Sequence, residues 1–161
     1  MAIALGLALQ TTLARFVVGG TAAIDFVLVV VIYVALTMGP VAGLLAGSVA
    51  GLVQDALSSG VIGIGGLAKS IVGFLSGVFG QQFIVTAPLP RFVMFLTATM
   101  LHAAVFMGLY VMLTPTTFRA PYTAVLSQAL GNAAVGIIAF TIVESLPGVL
   151  ERRKVSRRTR R

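Results

Sequence analysis

Asp55 and Lys69 are the residues of this chain best placed to do chemistry, because each is an ionisable side chain set in a long apolar stretch. A charge at the centre of a membrane-spanning helix costs about 2.5–3.5 kcal/mol on insertion scales, so such residues are paired, face other protein or mark a functional site. The short 58–63 segment, with two serines and two glycines, separates them. Asp55 lies about one helical turn before it and Lys69 about one and a half turns after it. An antiparallel hairpin brings both to similar depth, where an ion pair is reachable. Such a pair either fixes the register of the hairpin or offers a polar contact to a substrate or partner.

Other polar residues are sparser. His102, the single histidine, falls in the middle of an apolar stretch, where it serves as a proton relay or as a hydrogen-bonded packing residue. Gln128 and Asn132 are four apart, with Gly136 following, and so share a small, polar helix face suited to interhelical hydrogen bonds. Arg15 and Asp25 bracket an early turn and are expected to pair there. Cysteine is absent, which excludes disulfide and thiolate chemistry, and one histidine makes a zinc site from this chain alone untenable. No Ser, His and Asp constellation or P-loop is visible, and Gly63, Gly65 and Gly66 lack the preceding strand of a nucleotide-binding loop. No catalytic, cofactor or metal site is expected.

Glycines surround the two charges. Gly39, Gly43, Gly47 and Gly51 recur every fourth residue up to Asp55, and Gly65, Lys69, Gly73 and Gly77 keep the same spacing. Four-residue spacing keeps neighbours on one inclined ridge of a helix, and small residues on such a ridge let a second backbone approach closely in lipid. A row of this kind drifts about 40° per step, so Gly47, Gly51 and Asp55 share a contact while Gly39 belongs to a turn. Gly43, Gly47, Gly51, Asp55, Lys69, Gly73 and Gly77 are therefore the candidate helix-packing or partner-binding residues.

The elements that must position these residues are membrane spans. Hydrophobic residues make up 58% of the 161 positions and charged residues 9%, with a mean hydropathy of +1.08, against about 25% charged in a soluble domain. Turn-forming clusters at Gly39-Pro40, Ser58-Ser59-Gly60 and Pro88-Leu89-Pro90 divide the chain, with further breaks at Gly19-Gly20 and between Pro115 and Pro121. Six spans result, at 1–18, 23–38, 40–57, 64–84, 91–113 and 121–146, the first two short for a bilayer. Residues 1–148 form an all-α integral membrane domain and 149–161 a basic tail. The first fourteen residues lack the basic start of a cleavable signal and are expected to remain as a span.

Seven of the eleven basic residues follow Gly148, among them Arg152, Arg153, Lys154, Arg157 and Arg158. The positive-inside rule puts this tail in the cytoplasm, and six spans put the N-terminus there too. Attraction to anionic lipids is the expected role of the tail, each charge contributing around 1 kcal/mol near the surface. An acidic protein comes next, and nucleic acid last, since the tail has no aromatic residue for base stacking.

The runs 25–31, 39–43, 51–60 and 66–75, with Gly39-Pro40, Gln54-Asp55 and Ala68-Lys69-Ser70 at their centres, resemble the bacterial rod shape-determining MreD family. The resemblance is strongest over 25–77 and extends to length and span number. It implies a non-enzymatic component of the cell-elongation machinery in the bacterial cytoplasmic membrane, with a fold similar to the six-helix substrate-binding subunits of energy-coupling-factor transporters. Implied partners are the transmembrane helix of MreC and, around it, MreB, RodA and a transpeptidase that direct peptidoglycan synthesis. A second copy of the chain stays open as a partner. The alternative is a transporter subunit holding a vitamin-like molecule near Asp55, Lys69, Asn132 and His102.

Overall fold

A computed structural model describes Gly6, Ala8 and residues 24–58, 62–83, 87–113 and 122–158, the last thirteen as backbone only. Five helices are described: α1 (Phe26–Met38), α2 (Pro40–Leu57), α3 (Ile64–Gln82), α4 (Pro88–Leu113) and α5 (Tyr122–Arg158). The expected first span lies outside the described residues apart from Gly6 and Ala8, which are helical.

Local chemistry explains the boundaries. Asp25 caps α1, its Oδ1 accepting the Leu28 N–H at 2.9 Å, as an N-cap carboxylate does for the unpaired donors of a first turn. The helix stops at Gly39, whose φ of +93° is left-handed territory open to glycine. Pro40 then opens α2, a first-turn position where its missing N–H costs nothing. The same rule moves the start of α4 to Pro88, three residues before the expected start at 91, because prolines in a first turn begin a helix rather than end it. Beyond 146, where the last span was expected to finish, α5 runs on to Arg158 through Pro147 and Gly148.

The helices assemble as two antiparallel pairs, α2 with α3 and α4 with α5, and α1 touches all four. A helix apolar on every face belongs inside a bundle, and α1, with the sequence FVLVVVIYVALTM, buries Val27, Leu28, Val29, Val31, Ile32 and Ala35. One core joins Leu28, Val29 and Ile32 to Val72, Phe95, Ala98, Ala133 and Phe140, and a second joins Val27 and Val31 to Ala46 and Ala50. Between α4 and α5, Gly136 leaves no room for a side chain because the ring of Phe95 occupies that space.

Three described helices are long and apolar enough to cross a membrane: α2, α4 and the Tyr122–Ser145 part of α5. The thirteen residues of α1 reach only about 20 Å, short of the roughly 30 Å hydrocarbon layer. Large apolar side chains such as Val41, Leu45, Val49, Val93, Leu130 and Ile138 point outward, the arrangement expected where lipid replaces water as solvent.

Candidate functional site

Five polar side chains from three helices and the lead-in to α1 meet inside the bundle. Lys69 on α3 places Nζ 2.9 Å from Asp25 Oδ2, with both side chains almost fully buried. The same Nζ lies 3.4 Å from His102 Nε2 on α4. An ammonium can only donate, so the imidazole nitrogen facing it is the acceptor. The Asp25 backbone N–H donates to Asn132 Oδ1 on α5 at 2.8 Å, and Asn132 Nδ2 donates to Thr99 Oγ1 on α4 at 3.2 Å. Thr99 in turn donates to the Phe95 carbonyl at 2.8 Å. Asn132 and Thr99 have no exposed surface at all.

Asp25 is the hub of this network. One carboxylate oxygen caps α1 and the other binds Lys69, while its backbone reaches Asn132. A buried polar group without a partner is costly, and each of these groups finds its partner on another helix or in its own first turn. The cluster therefore joins α1, α3, α4 and α5 by hydrogen bonds, the kind of interaction that holds helices together where apolar attraction between them is weak.

The expected Asp55–Lys69 pair is replaced by two separate arrangements. Lys69 takes Asp25, not Asp55, and the expected Arg15–Asp25 pair falls on Arg15, which lies outside the described residues. Asp55 instead turns to the start of α3: its Oδ2 accepts the N–H of Gly63 at 2.9 Å and of Gly66 at 3.1 Å. A carboxylate at a helix N-terminus satisfies unpaired donors and faces the positive end of the helix dipole. Thus Asp55 caps the helix that follows its own, and a side chain at Gly65 would collide with it.

The glycine rows face each other across the hairpin. A methyl added at Gly43 would strike the Gly73 carbonyl and one at Gly73 the Gly43 carbonyl, while Gly47 abuts the Lys69 carbonyl, Gly51 the backbone of Gly65 and Gly66, and Gly77 the backbone of Pro40. Gly39 lies in the α1–α2 turn, as expected, and its backbone closes the end of the seam against Gly77. Ser48 and Ser70 add a hydroxyl pair at 2.7 Å. The seam is internal to the chain, so its glycines are covered by one another and not open to a partner.

At the far end of the α4–α5 pair, Arg91 binds Glu144 through both guanidinium nitrogens, NH1 to Oε2 at 2.8 Å and NH2 to Oε1. Its guanidinium carbon also lies 4.5 Å from the centre of the Phe140 ring. Two-pronged pairing of this kind fixes orientation as well as distance.

Of the residues singled out in the sequence, Lys69, His102 and Asn132 come together; Asp55 joins the hairpin turn, and Gln128 lies half-buried one turn before Asn132. Sequence reasoning missed the role of Asp25 and of Thr99. Thr99 lies three residues before His102 on the same helix face, a signal that was available. Arg152, Arg153, Lys154, Arg157 and Arg158 are carried on the helical backbone of α5, their side chains outside the described residues. No group of three or more His, Cys, Asp or Glu able to hold a metal occurs among the described residues.

The sequence pattern of the family described as rod shape-determining protein MreD matches residues 1–147, which takes in every helix but the end of α5. The chain belongs to the MreD family. Membership gives it a part in rod shape determination, as a shape-determining structural protein of the membrane. No curated protein and no solved structure matches it. For an MreD protein, the polar cluster reads as architecture: its donors and acceptors are turned toward neighbouring helices.

Proposed function

We propose that this chain is a non-enzymatic scaffold of the bacterial rod complex, which receives the transmembrane helix of MreC and helps to direct lateral peptidoglycan synthesis by MreB, RodA and a transpeptidase. In this reading the first eighteen residues supply a sixth span, both termini lie in the cytoplasm and the fold is similar to the substrate-binding subunits of energy-coupling-factor transporters. Membership of the MreD family supports the setting. The observation that carries the docking role is a groove between α3 and α4, lined by Leu75, Ser76, Phe79, Met94, Thr97 and Leu101 over Ala98.

That groove has the composition a helix needs. Its floor is small, with Ser76 and Ala98 buried, and its rim is apolar and open to lipid. Close approach over small residues is what drives helix association in a bilayer. The glycine seam is already filled from within, whereas this groove faces outward.

The test is co-purification with MreC from membranes. Thr97 stands at the exposed rim, so Thr97→Trp fills the groove without entering the bundle, and it is expected to lower the yield of MreC while leaving the amount of this protein unchanged. Undiminished MreC recovery with that variant would remove the groove from the proposal.

A further inference from the structure

Ser76 departs from a pattern that six other hydroxyl residues of the helices keep. Thr37, Ser48, Ser70, Thr97, Thr99 and Thr141 each donate to the backbone carbonyl four residues back, the local outlet for a hydroxyl on a helix in apolar surroundings. Ser76 makes no hydrogen bond among the described residues. Yet it is only 3% exposed, and it lines the groove between α3 and α4. The groove's second hydroxyl, on Thr97, is committed to the Val93 carbonyl at 2.8 Å.

Depth decides what can meet that hydroxyl. Ser76 stands about 9 Å along the helix from the end of α3 at Gln82, and Ala98, across the groove, about 15 Å from the start of α4 at Pro88. Both lie within a hydrocarbon layer about 30 Å thick. No water is at hand there, and an acyl chain has no atom that hydrogen-bonds, so an unpaired hydroxyl is costly against either lipid or an apolar side chain. A charged side chain is no better suited. The groove's lining carries no charged residue, and a Lys, Arg, Asp or Glu brought against it would lie unpaired in the bilayer.

We propose that Ser76 is the recognition point of the groove, where it hydrogen-bonds an uncharged polar side chain, Asn, Gln, Ser or Thr, on the transmembrane helix that docks there. A serine hydroxyl donates one hydrogen bond and accepts others, so it suits either end of a side-chain amide or a second hydroxyl. The small side chain of Ala98 on the facing helix lets the incoming backbone come close enough for that bond. This inference rests on the docking role of the groove and adds to it the kind of residue the docked helix presents.

Energy transfer in phosphatidylcholine vesicles tests this on the full-length protein. The chain has no cysteine, so Gln82→Cys, exposed at the end of α3, carries a single acceptor dye. The probes are two donor-labelled transmembrane peptides of leucine and alanine that differ at one central position, Asn in one and the similarly sized Leu in the other. The Asn peptide is expected to bind about threefold more tightly. Ser76→Ala should abolish that preference and leave the unfolding midpoint unchanged, since the hydroxyl has no internal partner to lose. Equal binding of the two peptides by the unaltered groove, an Asn preference that survives Ser76→Ala, or a lowered midpoint would overturn the role of Ser76. Thr97→Trp tests the groove separately and is expected to weaken both peptides alike. Binding of neither peptide, or binding that Thr97→Trp leaves unaffected, would remove the groove as a docking site and not Ser76 alone.

Discussion

Lys69 and Asp25 hold the most consequential pairing in the protein, and their substitution makes the sharpest test of the polar cluster. Removing one member of a buried ion pair leaves the other charged and unpaired, a loss of about 3 kcal/mol or more. Lys69→Met is therefore expected to lower the midpoint of detergent-induced unfolding strongly. Adding Asp25→Asn should recover much of that loss, because the amide oxygen still caps Leu28 while the uncompensated charge disappears. If the double variant is as unstable as the single one, the pair is not what Lys69 contributes. Asp55→Ala should cost less, about 1 kcal/mol, as the loss of a cap to Gly63 and Gly66. That Lys69 and Asp55 needed partners was legible from their positions in apolar sequence. Which partner each takes was not, because Asp25 and Lys69 belong to different hairpins and local spacing carries no information about how hairpins pack.

Helix α2 and helix α3 were readable to within a residue or two, since Gly39-Pro40 and the 58–63 turn fix them by local chemistry alone. Their glycines separate two kinds of site. Gly47 lies against the Lys69 carbonyl, backbone that cannot swing aside, whereas a methyl on Gly108 of α4 meets nothing within 4 Å. Gly47→Ala is accordingly expected to destabilise the hairpin and lower the unfolding midpoint. Gly108→Ala should leave the midpoint unchanged or raise it, with a stability gain of up to about 1 kcal/mol through helix propensity. Opposite signs in one unfolding assay would establish that contact, not glycine content, sets these positions. The continuation of α5 past Pro147 was hidden from the sequence because Pro147-Gly148 reads as a stop signal.

For the molecule as a whole, the even span number of the proposal makes a statement about sides. With no native cysteine to interfere, Ala2→Cys and Ser156→Cys should react with an impermeant maleimide from the same face of the membrane, the inside. Labelling from opposite faces would leave five crossings and discard the orientation proposed. Composition alone revealed a helical membrane protein, and the runs around Asp55 and Lys69 pointed to the family whose pattern matches residues 1–147. The central place of α1 was written in its apolar circumference, although its length suggested only a marginal span.

That central place has a consequence for how the protein is made. Helix α1 is short, is preceded by Asp25 and is enclosed by four helices that follow it in the chain. When it leaves the ribosome, Lys69, His102 and Asn132 have not yet been synthesised. At about 5–20 residues per second, several seconds pass before Lys69 arrives, and throughout them a carboxylate waits beside lipid without its cation. An insertion machinery that released each helix singly would expose Asp25 to that cost. Biogenesis of this chain thus favours retaining α1 in a protected, hydrated setting until α3 can be delivered to it, so that the helices enter the bilayer as an assembled group.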